Sequence, residues 1–140
     1  MTRQSSLSLT KLGDSDQVLV DPAEDIRGRK VRDRNGNDLG KVDDLLVDSE
    51  RHKVRMLRVE HGGILGLGAT PSYLPVDAVT SISDDVVCVS EPRDRVSDAP
   101  RYDPDLVDES DYYQSLYDYY GYPPYWGAGY VYPTYPFYRF

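Results

Sequence analysis

Between Ile26 and Glu91 the sequence breaks into short apolar runs, each closed by a turn signal. None is long enough, or spaced at 3.6 residues, to make a helix of ordinary length. Lys30-Val31-Arg32-Asp33 leads into Asn35-Gly36, a strong hairpin signal because both residues tolerate positive φ; the spacing predicts a type I′ turn. Leu39–Val47 and Lys53–Glu60 follow as two longer strands around the polar turn 48–52. Neither keeps a strict period of two, and Gly40 is a natural bulge position. Bulges bend strands, and bent neighbours favour a small closed or nearly closed barrel over a flat sheet. Ser72–Val76 is a short strand whose Pro75 suits an edge or a strand end. Val76–Val79 fits a single helical turn, and Ser81–Ser90 is a last strand region split at Asp84-Asp85. Five to six short strands in this span predict an all-β fold, a small β-barrel.

The two ends of the chain read differently. Residues 1–25 predict a flexible arm, polar and aperiodic through residue 17, with a brief helix-start signal at Asp21-Pro22-Ala23-Glu24. Pro92, Pro100 and Pro104 punctuate a charged linker. A helix is expected over 104–120, with Leu106, Tyr113, Leu116, Tyr117 and Tyr120 on one face and Gly121 closing it. The barrel is therefore assigned to residues 26–95, and an acidic linker with a tyrosine-rich tail to residues 96–140. Of 13 tyrosines, 12 fall in the last 39 residues, with Trp126 and both phenylalanines. That segment carries 6 acids against one base, whereas the first 101 residues carry 18 against 15, so the net charge of −8 comes mainly from the tail.

Several function classes lack their residues. Cys88 is the only cysteine, so no internal disulfide framework or cysteine-based zinc site exists, and its valine neighbours predict a buried thiol. No apolar run approaches the roughly 18 residues of a membrane span. The opening residues lack the apolar stretch of a secretory signal, and a cytoplasmic setting is expected. Gly62-Gly63-Ile64-Leu65-Gly66-Leu67-Gly68 lacks the lysine and following helix of a phosphate loop, and reads as a turn covering the barrel. Asp33, Asn35 and Asn37 have calcium-loop spacing, but Asp38 stands where that loop needs glycine. His52 and His61 sit at strand ends without cysteine partners, as exposed imidazoles needing no special role. No nucleophile elbow is present. No catalytic residue, cofactor or metal site is expected, and the chain is not expected to be an enzyme.

Two segments remain as interaction candidates. Fifteen aromatics in 39 residues form an apolar payload that must fold back on the barrel or engage a partner. As a self-association surface it comprises Tyr112, Tyr113, Tyr117, Tyr120, Tyr125, Trp126, Tyr130, Tyr132, Tyr135, Phe137 and Tyr138. The alternative is RNA or another polyanion held by Arg27, Arg29, Lys30, Arg32 and Arg34, with tail aromatics stacking on bases. Nearby acids Glu24, Asp25, Asp33 and Asp38 favour instead a solvated strand face.

An ordered set of motifs carries a resemblance. Ile26-Arg27-Gly28-Arg29-Lys30-Val31 comes first, then Asp33-Arg34-Asn35-Gly36-Asn37-Asp38-Leu39-Gly40-Lys41-Val42-Asp43-Asp44. Leu46-Val47-Asp48, the run Val59 to Gly68, and Leu74-Pro75-Val76-Asp77-Ala78-Val79 complete it. This segment, roughly residues 26–91, resembles the PRC-barrel domain, named for the cytoplasmic domain of the photosynthetic reaction-centre H subunit. The resemblance implies an all-β barrel acting as a protein-interaction or assembly module, with no enzymatic residues to carry over. Residues 1–25 contain nothing like that subunit's membrane helix, so the likeness is to free-standing bacterial PRC-barrel proteins. A protein partner, including further copies of the chain, is the expectation.

Overall fold

The computed structural model describes residues 9–12, 25–48, 53–64, 67, 70–100, 109–127 and 129–131. Its strands are β1 (Thr10–Lys11), β2 (Lys30–Arg32), β3 (Asp38–Asp48), β4 (Lys53–Glu60), β5 (Ser72–Pro75), β6 (Val79–Ile82) and β7 (Val86–Val89). Two helices follow, α1 (Arg93–Ser97) and α2 (Glu109–Tyr120). The sheet order is β5-β4-β3-β2-β7-β6, with β1 added on β3. All neighbours are antiparallel except β2 and β7. Val47 pairs with Thr10 and Val54, and Lys41 with Lys30 and Glu60, so β1 and β2 share one edge of β3 and β4 takes the other.

The sheet curls because its long strands are bulged. On β3 the register slips at Leu39-Gly40 against β2 and at Asp43 against β4; on β4 it slips at Arg55. Gly40 has φ +119°, and a Cβ there would lie 1.9 Å from the Glu60 carbonyl oxygen. Only glycine lets β3 pass this close to the end of β4. The strands at the two ends of the order, β5 and β6, are consecutive in sequence and joined by one helical turn, Val76–Ala78. That turn draws the sheet's ends together, making a curled half-barrel of the small PRC type. Its core holds Ile26, Val31, Leu39, Leu45, Met56, Leu57, Leu74 and Val87, each buried.

Several local expectations are corrected. Leu9 and Leu12 are buried on either side of β1, so the arm is not flexible throughout: two leucines anchor it against β3. The β2–β3 turn is closed by Gly36 N–H on Asp33 O (3.0 Å), and Asp33 N–H donates to Asn37 O (2.9 Å). Gly36, at φ +83°, closes that turn rather than sitting at its centre. This is a three-residue loop with a glycine bulge rather than a two-residue type I′ turn. Within the expected linker, residues 93–97 form α1, because the Asp33 carboxylate caps it: Arg93 N–H donates to Asp33 Oδ2 (2.8 Å). Cys88 is half-buried, since β7 alternates with Val87 and Val89 inward and Val86 and Cys88 outward. The Asp21–Glu24 helix start and His52 lie outside the described residues.

Candidate functional site

The tail is the first region to place, because it decides which surfaces a partner meets. Tyrosine is an average helix former, so α2 is held by packing rather than propensity. Tyr112, Tyr113, Leu116, Tyr117 and Tyr120 are all buried in the same cluster as the barrel core. Each large apolar side chain so buried contributes about 2–3 kcal/mol relative to exposure. Tyr73 of β5 meets Tyr112 edge to face at 5.8 Å. After Gly121 the chain turns back. Tyr125 and Trp126 pack on Tyr117 at 5.9 and 5.1 Å between ring centroids.

Polar anchors finish this seam. Tyr122 donates to Glu91 Oε2 (2.5 Å), while Glu91 Oε1 accepts from Arg95 Nε (3.0 Å). Burial first, then the Glu91 carboxylate, push the Tyr122 phenol well above its ordinary range. Tyr119 donates to the Arg95 carbonyl (2.6 Å), and the Arg95 guanidinium lies 4.7 Å from the Tyr119 ring centre. Tyr130 bridges both carboxylate oxygens of Asp77 at 3.2 and 3.1 Å. Burial raises the Asp77 carboxyl despite that bond and the nearby Arg55 charge. Arg55, only 3% exposed, lies 4.6 Å from the Tyr125 ring centre and 5.8 Å from that of Tyr130. Such cation–π contacts strengthen when the cation is removed from water.

The expected aromatic surface is therefore largely turned inward. Tyr112, Tyr113, Tyr117, Tyr120 and Tyr125 are buried; Trp126 and Tyr130 are half-buried against the core. In this conformation those side chains serve the chain's own fold. Tyr132, Tyr135, Phe137 and Tyr138 lie outside the described residues. Glu91, Arg95, Asp77 and Arg55, the tail's anchors, were not singled out from sequence. The available signal was Arg55 amid apolar residues where β4 breaks its alternation.

The basic segment is divided. Arg27 is held by Asp25, with Nε to Oδ1 at 2.8 Å, and this contact leads the causes lowering the Asp25 carboxyl. Arg29 reaches the Ser83 carbonyl (2.8 Å). Lys30 and Arg32 share the outer face of β2, with Val31 inward, and Arg34 is exposed in the turn. Arg27 and Arg29 are thus engaged within the chain, while Lys30 and Arg32 stay on the outer face.

The second region is a groove of about 390 Å³ above the Gly40 bulge, lined by Lys30, Asp38, Gly40, Lys41, Glu60, His61, Gly62 and Ile64. His61 forms part of its lining and is 2% exposed, which corrects the expectation of an exposed imidazole. Its Nδ1 lies 2.7 Å from the Leu39 carbonyl, an acceptor only, so Nδ1 carries the proton and donates. Its Nε2 lies 2.8 Å from Ser72 Oγ, and in the neutral ring it accepts from that hydroxyl. The ring thus ties the bulge of β3 to β5. Among the described residues no three His, Cys, Asp or Glu side chains gather as a metal site. No helix there is long and apolar enough to cross a membrane.

A sequence-family model described as the PRC-barrel domain matches residues 20–96, extending somewhat beyond the segment that carries the resemblance. No curated protein matches the chain. PRC-barrel domains act generally as protein-interaction modules and are generally non-catalytic. The match covers more than half of the sequence, and the bulged, curled sheet agrees with it, so the chain belongs to the PRC-barrel domain family.

Proposed function

We propose that this chain is a non-enzymatic assembly module that associates with copies of itself through a barrel edge, while residues 109–130 act as an intramolecular brace. The contrast between the two end strands carries this reading. β5 is protected by Pro75, which cannot donate to a neighbouring strand, and by Tyr112 packed on Tyr73. β6, Val79–Ile82, contains neither lysine nor proline, and β7 is its one strand neighbour among the described residues. Two copies meeting at β6 would form an isologous antiparallel contact. The tail aromatics from Tyr132 onward enter the proposal from sequence alone, as a further contact.

Sedimentation of the full chain across concentration tests it. Ser81 is exposed on β6, and Ser81→Lys places a charge where an edge contact would form. The expected result is a concentration-dependent dimer that reverts to the 15.9 kDa monomer in that variant. A 15.9 kDa species at every concentration of the parent chain contradicts the proposal.

A further inference from the structure

The strand register places three charged residues in one row across the outer face. Lys30 on β2 is directly opposite Lys41 on β3, and Lys41 is directly opposite Glu60 on β4. Opposite residues share a face with Cβ atoms about 5 Å apart, and like charges so placed destabilise the pair. All three side chains are exposed, and none makes an ion pair or hydrogen bond among the described residues. The adjacent Asp38 is engaged, its Oδ1 accepting from Gly40 N–H (3.0 Å). Gly62, in the groove lining, and Gly63 have φ of +61° and +84°. Neither amide donates to another group among the described residues. Two ammonium groups and the Gly62 amide thus line one groove, and Glu60 offsets the lysine repulsion only at Lys41, leaving Lys30 without an opposed carboxylate in the row.

We propose that this groove receives an acidic peptide segment, with one carboxylate seated between Lys30 and Lys41 and within reach of the Gly62-Gly63 amides. A carboxylate there supplies Lys30 with the countercharge that Glu60 already supplies to Lys41. Glu60 and Asp38 at the margins select against a densely charged polyanion, because nucleic acid brings closely spaced phosphates that these acids repel. A peptide can follow its acid with a neutral or basic residue, and half-buried Ile64 offers that residue an apolar contact. This site is separate from the β6 edge, so it stands or falls independently of self-association.

The test is a ¹⁵N amide titration of the full chain with a short peptide carrying two glutamates and a leucine. Its glutamine counterpart and an oligouridylate serve as controls. Saturable shifts at Gly62 and Gly63 at millimolar peptide are expected with the glutamate peptide and not with the glutamine one. Exposed ion pairs are worth up to about 1 kcal/mol, so Lys30→Gln and Lys41→Gln each weaken binding about threefold and together about tenfold. Lys30→Gln retains or raises the melting temperature, because the lysine repulsion is relieved while the Lys41–Glu60 pair is kept, which separates lost binding from lost fold. Glu60→Gln tightens binding. Equal response to both peptides, an unchanged double variant, no shift at millimolar peptide, or tighter binding of oligouridylate overturns the proposal.

Discussion

Gly40→Ala should be among the most damaging single-methyl additions to this barrel. Positive φ costs an alanine about 1–2 kcal/mol. The new Cβ also falls 1.9 Å from Glu60 O and 2.9 Å from Glu60 C and His61 Cα, all backbone atoms that cannot rotate aside. Relieving the overlap to roughly 3.3 Å, an ordinary carbon–oxygen contact, requires the end of β4 to move by about 1.4 Å. That movement pulls on the Lys41–Glu60 pairing and on both hydrogen bonds of buried His61. Each such bond contributes about 1 kcal/mol net, giving a total of about 3–5 kcal/mol. Gly36 is the internal control: its φ is +83°, but a Cβ there meets nothing within 4 Å. Gly36→Ala should therefore cost only about 1 kcal/mol. Urea denaturation followed by circular dichroism should show a lower midpoint for both variants at unchanged slope, with the larger shift for Gly40→Ala. Equal shifts for the two variants would refute the close-approach argument.

Other expected outcomes follow from single buried groups. Asp33 accepts from Asn35 N–H (2.9 Å), Asn37 N–H (2.8 Å) and Arg93 N–H (2.8 Å). Burial pushes its carboxyl up, but these donors outweigh it and hold the value below 3.8. The associated stability is present above pH 3.8 and lost as pH falls through the lower folded value. Asp33→Ala should cost about 2–4 kcal/mol near neutrality and reduce the acid sensitivity of the urea midpoint; an unchanged acid slope would count against this role. Tyr117 is buried with no partner for its hydroxyl among the described residues, and burial, followed by the Asp77 charge, holds its phenol well above 10.0. Tyr117→Phe should raise stability by up to about 1 kcal/mol, whereas a loss would reveal a hydroxyl contact. Tyr122→Phe removes the Glu91 anchor and should instead destabilise by about 1–2 kcal/mol.

The legible parts of the fold are those carried by local chemistry. Gly40 marked the bulge, Asp84-Asp85 the β6–β7 turn, Val76–Val79 the joining turn, and the Tyr113-Leu116-Tyr117-Tyr120 spacing the face of α2. What escaped depends on distant partners. The capping group of α1 lies 60 residues upstream, at Asp33. β2 pairs in parallel with β7, which no neighbouring turn specifies. His61 owes its burial to the Leu39 carbonyl and Ser72, and Arg55 packs beneath rings some 70 residues later. The groove was illegible for the same reason: Lys30, Lys41 and Glu60 become a row only when the strand register is known.

The described part of the tyrosine-rich segment, residues 109–127 and 129–130, is built into the barrel rather than presented by it. Trp126, the only tryptophan, reports on this directly from its place against Tyr117 and Tyr125. Urea unfolding followed by Trp126 fluorescence and by far-ultraviolet circular dichroism should give one coincident transition. A Trp126 transition complete at lower urea, with the strand signal intact, would contradict the account.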